Sequence, residues 1–157
     1  HRLIEEDAVE VLKNRLIPLA RVVTPNIPEA EILSGSRISG EQDFEVIARK
    51  LSAIGNVSVL LKAGHLCGDT LVDYFYNAED DTVTKMPSRR VYTVNTHGTG
   101  CTLSSAFAAA LAGGEDLTSA AISAKRYIEQ AVISGAEYEI GGGHGPVNHS
   151  FNPLKMI

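Results

Sequence analysis

The run Val57-Ser58-Val59-Leu60-Leu61-Lys62 is nearly all apolar and does not alternate. A strand with one face in water alternates apolar and polar residues, because successive side chains point to opposite sides. An unbroken apolar run instead marks a strand covered on both faces, the pattern of sheets sandwiched between helices. Two helical patterns precede this run. Leu3, Ile4, Val9, Val11, Leu12, Leu16 and Leu19 recur at helical spacing among charged residues, and Phe44, Ile47, Ala48 and Leu51 share one face of a helix over Glu41–Ile54. Strands separated by helices predict an α/β sheet with helices over its faces.

The remaining pattern fills in that order. Arg21–Thr24 is a short strand closed by Pro25, and Pro28–Leu33 a short helix ended by Gly35. Ala63-Gly64-His65 turns the chain. Thr70–Tyr76 and Thr82–Met86 alternate around the turn Ala78–Asp81 and predict a hairpin at a sheet edge. Arg90–Val94 reads as a further strand, Cys101–Ala112 as a small-residue helix stopped by Gly113-Gly114, and Leu117–Ala136 as a long helix; the tail is loop. No internal repeat, low-complexity linker or domain boundary is visible, so 1–157 is read as a single domain. A doubly wound domain usually opens on a strand and this one opens on a helix. Residue 1 is also His rather than Met. The expectation is a chain that starts inside its gene and a sheet lacking its first strands, with an edge that needs another chain.

Composition narrows the function classes. A hydrophobic fraction of 44% with 21% charged residues suits a globular protein and not a disordered one. A net charge of -5 lacks the broad basic footprint of a nucleic-acid binder. No run of about 18 apolar residues and no signal peptide is present, so neither membrane insertion nor secretion is expected. The expected location is cytoplasmic, with Cys67 and Cys101 as free thiols.

Chemistry concentrates in Val91–Ala112, where a strand runs through Asn95-Thr96-His97-Gly98-Thr99-Gly100 into a helix start. The first N–H groups of a helix have no partner within it and can bind an anion, helped by the helix dipole. Gly98 and Gly100 permit close approach, and Thr96 and Thr99 add hydroxyl donors. The alternative is a tight strand-to-helix connection with no ligand. A P-loop is absent. Cys101 at the helix start suits a thiolate nucleophile or base, or a buried small residue.

Asn26 and Glu29 share the face of a first helical turn. They could hold Mg²⁺ through water, but the spacing favours a helix cap. Lys62 ends the buried strand, where α/β sheets bind ligands, or snorkels to the surface. Lys125 reads as a solvated helical side chain. His1, His65, His97, His144 and His149 make no metal-ligand spacing. Gly141–Pro146 reads as a flexible loop and a candidate lid.

Taken together, TPNIPEAEIL, VLLKAGH, VNTHGTGCTLSSA and GHGPVNH closely resemble, in order and separation, the hydroxymethylpyrimidine and phosphomethylpyrimidine kinases of thiamine biosynthesis. These are members of the ribokinase-like superfamily. The resemblance covers essentially the whole chain, but only the carboxyl-terminal part of the family's domain. It implies a three-layer sandwich, a central mostly parallel sheet with helices on both faces, here without its amino-terminal strands.

The resemblance also implies ATP-dependent phosphorylation of a pyrimidine hydroxymethyl group or of the phosphate already on it. Asn26 and Glu29 match the motif that organises Mg²⁺. Lys62, Thr96 and Lys125 fall on the nucleotide side, and Gly98, Thr99 and Gly100 match the anion hole. Cys101 stands where sugar kinases of the superfamily carry an aspartate base. The implied partners are ATP and a small pyrimidine, with no nucleic acid or membrane, and a homodimer of the full-length enzyme. Two alternatives stay open: a pyridoxal kinase of the same superfamily, and a non-catalytic nucleotide-binding fragment of a longer enzyme.

Overall fold

The computed structural model describes residues 6–63 and 68–152. Leu3 and Ile4 of the first expected helix, the turn residues Gly64 and His65, Cys67 and the last five residues lie outside that range. The chain divides into two compact units, His1–Ser88 and Arg89–Ile157.

The first unit opens on helix α1 (Glu6–Val11), which widens into a π turn over Leu12–Leu16 and closes as a 3₁₀ turn over Ile17–Leu19. The spacing predicted one continuous amphipathic helix. Pro18 breaks it, because proline has no N–H to continue the ladder. Of the expected apolar face Val9 and Leu12 are half-buried and Val11, Leu16 and Leu19 are exposed, while the buried residue is Ile17, which lay outside that face. Strand β1 (Val22–Val23) follows, then α2 (Ile27–Ser34), which stops at Gly35 as expected, then α3 (Phe44–Ser52) behind a 3₁₀ turn at Glu41–Asp43.

Strand β2 (Ser58–Leu61) pairs parallel with β1, Val22 opposite Ser58 and Val23 opposite Val59. It pairs antiparallel with β3 (Thr70–Asn77), Leu60 opposite Phe75. Strand β4 (Thr82–Arg89) lies beside β3, giving the order β1-β2-β3-β4. Four residues join β3 to β4, too few for a parallel crossover, so the pair is the hairpin expected. The described sheet is mixed, with the parallel pairing confined to β1 and β2.

All four residues of β2 are buried. Val59 and Leu61 enter a core with Ile27 and Ala30 of α2, Phe44, Ile47, Ala48 and Leu51 of α3, and Tyr74 and Tyr76 of β3. Ser58 and Leu60 alternate to the other face and are buried as well. The unbroken apolar run is therefore enclosed on both sides, as its pattern required.

The second unit is a helical hairpin, α4 (Thr99–Ala112) and α5 (Leu117–Gly135), with the segments that enter and leave it. Asp116 caps α5, its carboxylate accepting from the Ser119 amide at 2.9 Å. Leu117, Ala120, Ala121, Ala124, Ile128 and Ala131 form the buried stripe of α5 at three- and four-residue spacing. The strand expected over Arg90–Val94 is not formed. Tyr92 and Val94 are exposed, and side chains hold this segment in place of a ladder. The Thr93 hydroxyl donates to the Ala136 carbonyl at 2.9 Å, and the buried Asn95 amide donates to the carbonyls of Gly135 at 2.8 Å and Tyr138 at 2.6 Å.

Candidate active site

In the first unit, the carboxyl ends of the two parallel strands stand side by side. Lys62 and Asn26 form a parallel bridge, and the Lys62 N–H donates to the Pro25 carbonyl at 2.9 Å. Asn26 is also the N-cap of α2. Its side-chain oxygen accepts from the Glu29 amide at 2.9 Å, and Glu29 Oε2 accepts from the Asn26 amide at 2.8 Å. The cap that the spacing favoured is thus formed in full, as a reciprocal capping box. The box engages Glu29 Oε2, and the residue is exposed. A single exposed carboxylate suits Mg²⁺, which keeps most of its waters and takes one or two protein carboxylates beside a phosphate. Among the described residues no group of three or more His, Cys, Asp or Glu could cage a metal. The donor set therefore fits an ion held jointly with a phosphate and not one held by protein alone.

Asp73, in β3, accepts from the Ala63 amide at 2.7 Å, one residue beyond Lys62, and is buried. It holds the chain as it leaves β2. The sequence signal was a carboxylate within the alternating segment Thr70–Tyr76, and the hairpin pattern absorbed it.

In the second unit, Gly98 is the N-cap of α4 with a φ of 87°. That left-handed backbone is open to glycine and strained for other residues. Thr96 accepts at its carbonyl from the Thr99 amide at 3.3 Å, and Thr102 donates to the Gly98 carbonyl at 2.9 Å to close the first turn. No side chain caps this helix, whereas Asn26 and Asp116 cap α2 and α5. The start of α4 consequently presents open backbone donors at Gly100 and Cys101, with the positive end of a 14-residue helix behind them. Cys101 is a free, exposed thiol and not the buried small residue of the alternative reading.

Thr96 is exposed beside this turn. Lys125 is not the solvated side chain its pattern predicted: it is 13% exposed, with Nζ 3.4 Å from Glu129 one helical turn on. A cleft of about 640 Å³ opens at Cys101, lined also by Thr102, Ser105, Ser123, Tyr127 and His149. The candidates thus form two groups: Asn26, Glu29 and Lys62 in one unit, and Thr96, Gly98–Cys101 and Lys125 in the other.

The glycine-rich tail is not a lid throughout. Gly141–His144 is exposed, but Gly145 and Pro146 are held against the turn. His97 donates its amide to the Gly145 carbonyl at 3.1 Å, and Val147 donates back to the His97 carbonyl at 3.3 Å. A β-carbon on Gly145 would overlap the Asn95 side chain, so only glycine fits there. The GHGPVNH motif therefore matters here for its packing, which no local pattern disclosed.

The first unit of this α/β chain thus holds a lysine at the end of a buried parallel strand, and the second an uncapped helix start behind a left-handed glycine with a thiol on its first turn. The family model of phosphomethylpyrimidine kinase matches residues 1–148. The chain belongs to the phosphomethylpyrimidine kinase family. It is 48% identical over 147 residues to the thiamine biosynthesis bifunctional protein ThiED of Geobacter sulfurreducens, covering 94% of this chain and 29% of that protein. It is 45% identical over 150 residues to the hydroxymethylpyrimidine/phosphomethylpyrimidine kinase of Rhizobium meliloti, covering 94% and 55%. The pyridoxal kinase of Staphylococcus aureus, solved with AMP-PCP and pyridoxal, matches at 30% identity with a TM-score of 0.88, covering 99% of this chain and 57% of that one. The fold is ribokinase-like. The chain spans about half the length or less of these relatives. Among the described residues no helix is long and apolar enough to cross a membrane.

Proposed function

We propose that this chain is part of a kinase that uses ATP to phosphorylate hydroxymethylpyrimidine, or its monophosphate, in thiamine biosynthesis, with residues 1–157 belonging to a single kinase domain. The observation that carries the reading is the uncapped start of α4 with the exposed Cys101 thiol on it. Phosphoryl transfer needs mainly positioning and neutralisation of spread negative charge. In this reading the turn Gly98-Thr99-Gly100 holds the transferring phosphate by backbone amides, and the Thr99 hydroxyl adds a donor. The Cys101 thiolate takes the proton of the acceptor hydroxyl as its oxygen bonds to the γ-phosphorus and the bond to the ADP oxygen breaks. Thr96, Lys62 and Lys125 serve the nucleotide. Asn26 and Glu29 would hold Mg²⁺, which neutralises phosphate charge when bound. The full-length enzyme is read as a homodimer, which sedimentation equilibrium checks.

The test is ATP-dependent phosphorylation of hydroxymethylpyrimidine phosphate by this chain and by the longer enzyme, with pyridoxal as the parallel acceptor. Turnover of the pyrimidine in both supports the reading for this polypeptide. Turnover in the longer enzyme alone makes this chain a nucleotide-binding portion whose acceptor site lies elsewhere. Preference for pyridoxal would favour the second reading, which the likeness to the pyridoxal kinase of Staphylococcus aureus motivates.

A further inference from the structure

We propose that Gly145–His149 is a strap that fixes both ends of the Gly98–Cys101 turn, and that His149 is a positioning residue for that turn. The residue just before the turn, His97, exchanges two backbone hydrogen bonds with the strap, donating to Gly145 and accepting from Val147. The residue just after it, Thr102, shares a 2.8 Å hydrogen bond between its hydroxyl and His149 Nε2. Between these attachments the strap is tied to α5. Asn148 donates its amide to the Ala131 carbonyl at 3.0 Å, and the Tyr127 hydroxyl donates to the His149 carbonyl at 3.1 Å. The Tyr127 ring in turn packs on Phe151, centroids 5.1 Å apart.

These contacts compensate for what the turn lacks. Gly98 and Gly100 make its backbone soft, and no side chain caps α4. A turn that must hold an anion with backbone amides acts well only when those amides are fixed beforehand. Thr102 already donates its amide to the Gly98 carbonyl. Holding the Thr102 side chain therefore holds the far end of the turn, while His97 holds the near end. His149 acts through Thr102; its imidazole is assigned no part in proton transfer.

The catalytic meaning rests on the kinase reading, but the mechanical claim does not, and the test separates them. Amide exchange by mass spectrometry in this protein, followed over 95–103, should be about tenfold faster in His149→Ala than in wild type. Thr102→Val should match it, and the double variant should be no worse than either, because one shared hydrogen bond is lost in all three. His149→Gln, which returns an amide nitrogen near the position of Nε2, should restore slow exchange. In the full-length enzyme His149→Ala should lower kcat about tenfold at an unchanged melting temperature, with rescue by Gln. Unchanged exchange in His149→Ala, additive effects in the double variant, or a kcat loss that follows a falling melting temperature without Gln rescue would overturn the proposal. Altered exchange here, with no kinase turnover in the full-length enzyme, would leave the strap standing and remove the kinase reading alone.

Discussion

Gly145 sits against Asn95 so closely that a β-carbon would overlap the asparagine amide. That amide is already committed to the carbonyls of Gly135 and Tyr138 at the end of α5. Gly145→Ala must therefore push out either the strap or Asn95. Overpacking of this kind costs about 1–3 kcal/mol. Thermal unfolding should show a melting temperature several degrees lower; an unchanged value would mean the segment shifts freely.

Replacing the thiol tests the chemistry of the turn. Cys101→Ala should lower turnover of the full-length enzyme by about two to four orders of magnitude, the usual worth of a general base. Affinity for ATP should change little, because the proposed phosphate contacts are backbone amides. Steady-state kinetics with a separate nucleotide titration distinguishes the two. Near-normal turnover would reduce Cys101 to a bystander.

Glu29 has two jobs that can be pulled apart. Its Oε2 accepts from the Asn26 amide, a role a glutamine oxygen can also fill. Glu29→Gln should keep the cap and cost well under the ~1 kcal/mol typical of losing one outright. If the lost charge served Mg²⁺, the variant should need more of the ion for half-maximal rate. An unchanged Mg²⁺ titration with a normal melting curve would leave Glu29 as a cap.

The alkaline limb of stability should report Tyr74. Burial, then its hydrogen bond to Glu45, pushes its phenol up from 10.0 to about 12. The proton is held more tightly in the folded state than in the unfolded one. This contribution is therefore complete below pH 10 and lost as pH rises towards about 12. Denaturant melts over that range should show Tyr74→Phe losing less stability than wild type, and phenolate absorbance should show a late-titrating component that shrinks in that variant. Parallel losses in the two proteins would refute the assignment.

What could be read in advance was whatever the chain decides locally or by burial. The run Val57–Lys62 announced a strand enclosed on both faces. Asn26 and Glu29 announced a helix start, and Gly98 a special turn. What escaped depends on partners distant in sequence. Arg90–Val94 has the composition of a strand, yet a strand exists only where a ladder neighbour does, and side chains fill that place here. Pro18 was lost inside a good apolar spacing. The tail read as a mobile loop because its glycines are visible in sequence and its hydrogen bonds to His97, Ala131 and Thr102 are not. Lys125 looked solvated because helical spacing does not disclose what packs over a long side chain.

The bond between His97 and Val147 joins residues about fifty positions apart. A chain emerging from the ribosome displays the Gly98–Cys101 turn long before it makes the segment that fastens it. Closing a loop of that length is slow unless the intervening helices have already paired. The turn therefore gains its full set of hydrogen bonds only once the segment beyond α5 has been made. A single protease cut between Ile140 and His144 would leave the strap joined to the turn and to α5 by hydrogen bonds and packing alone.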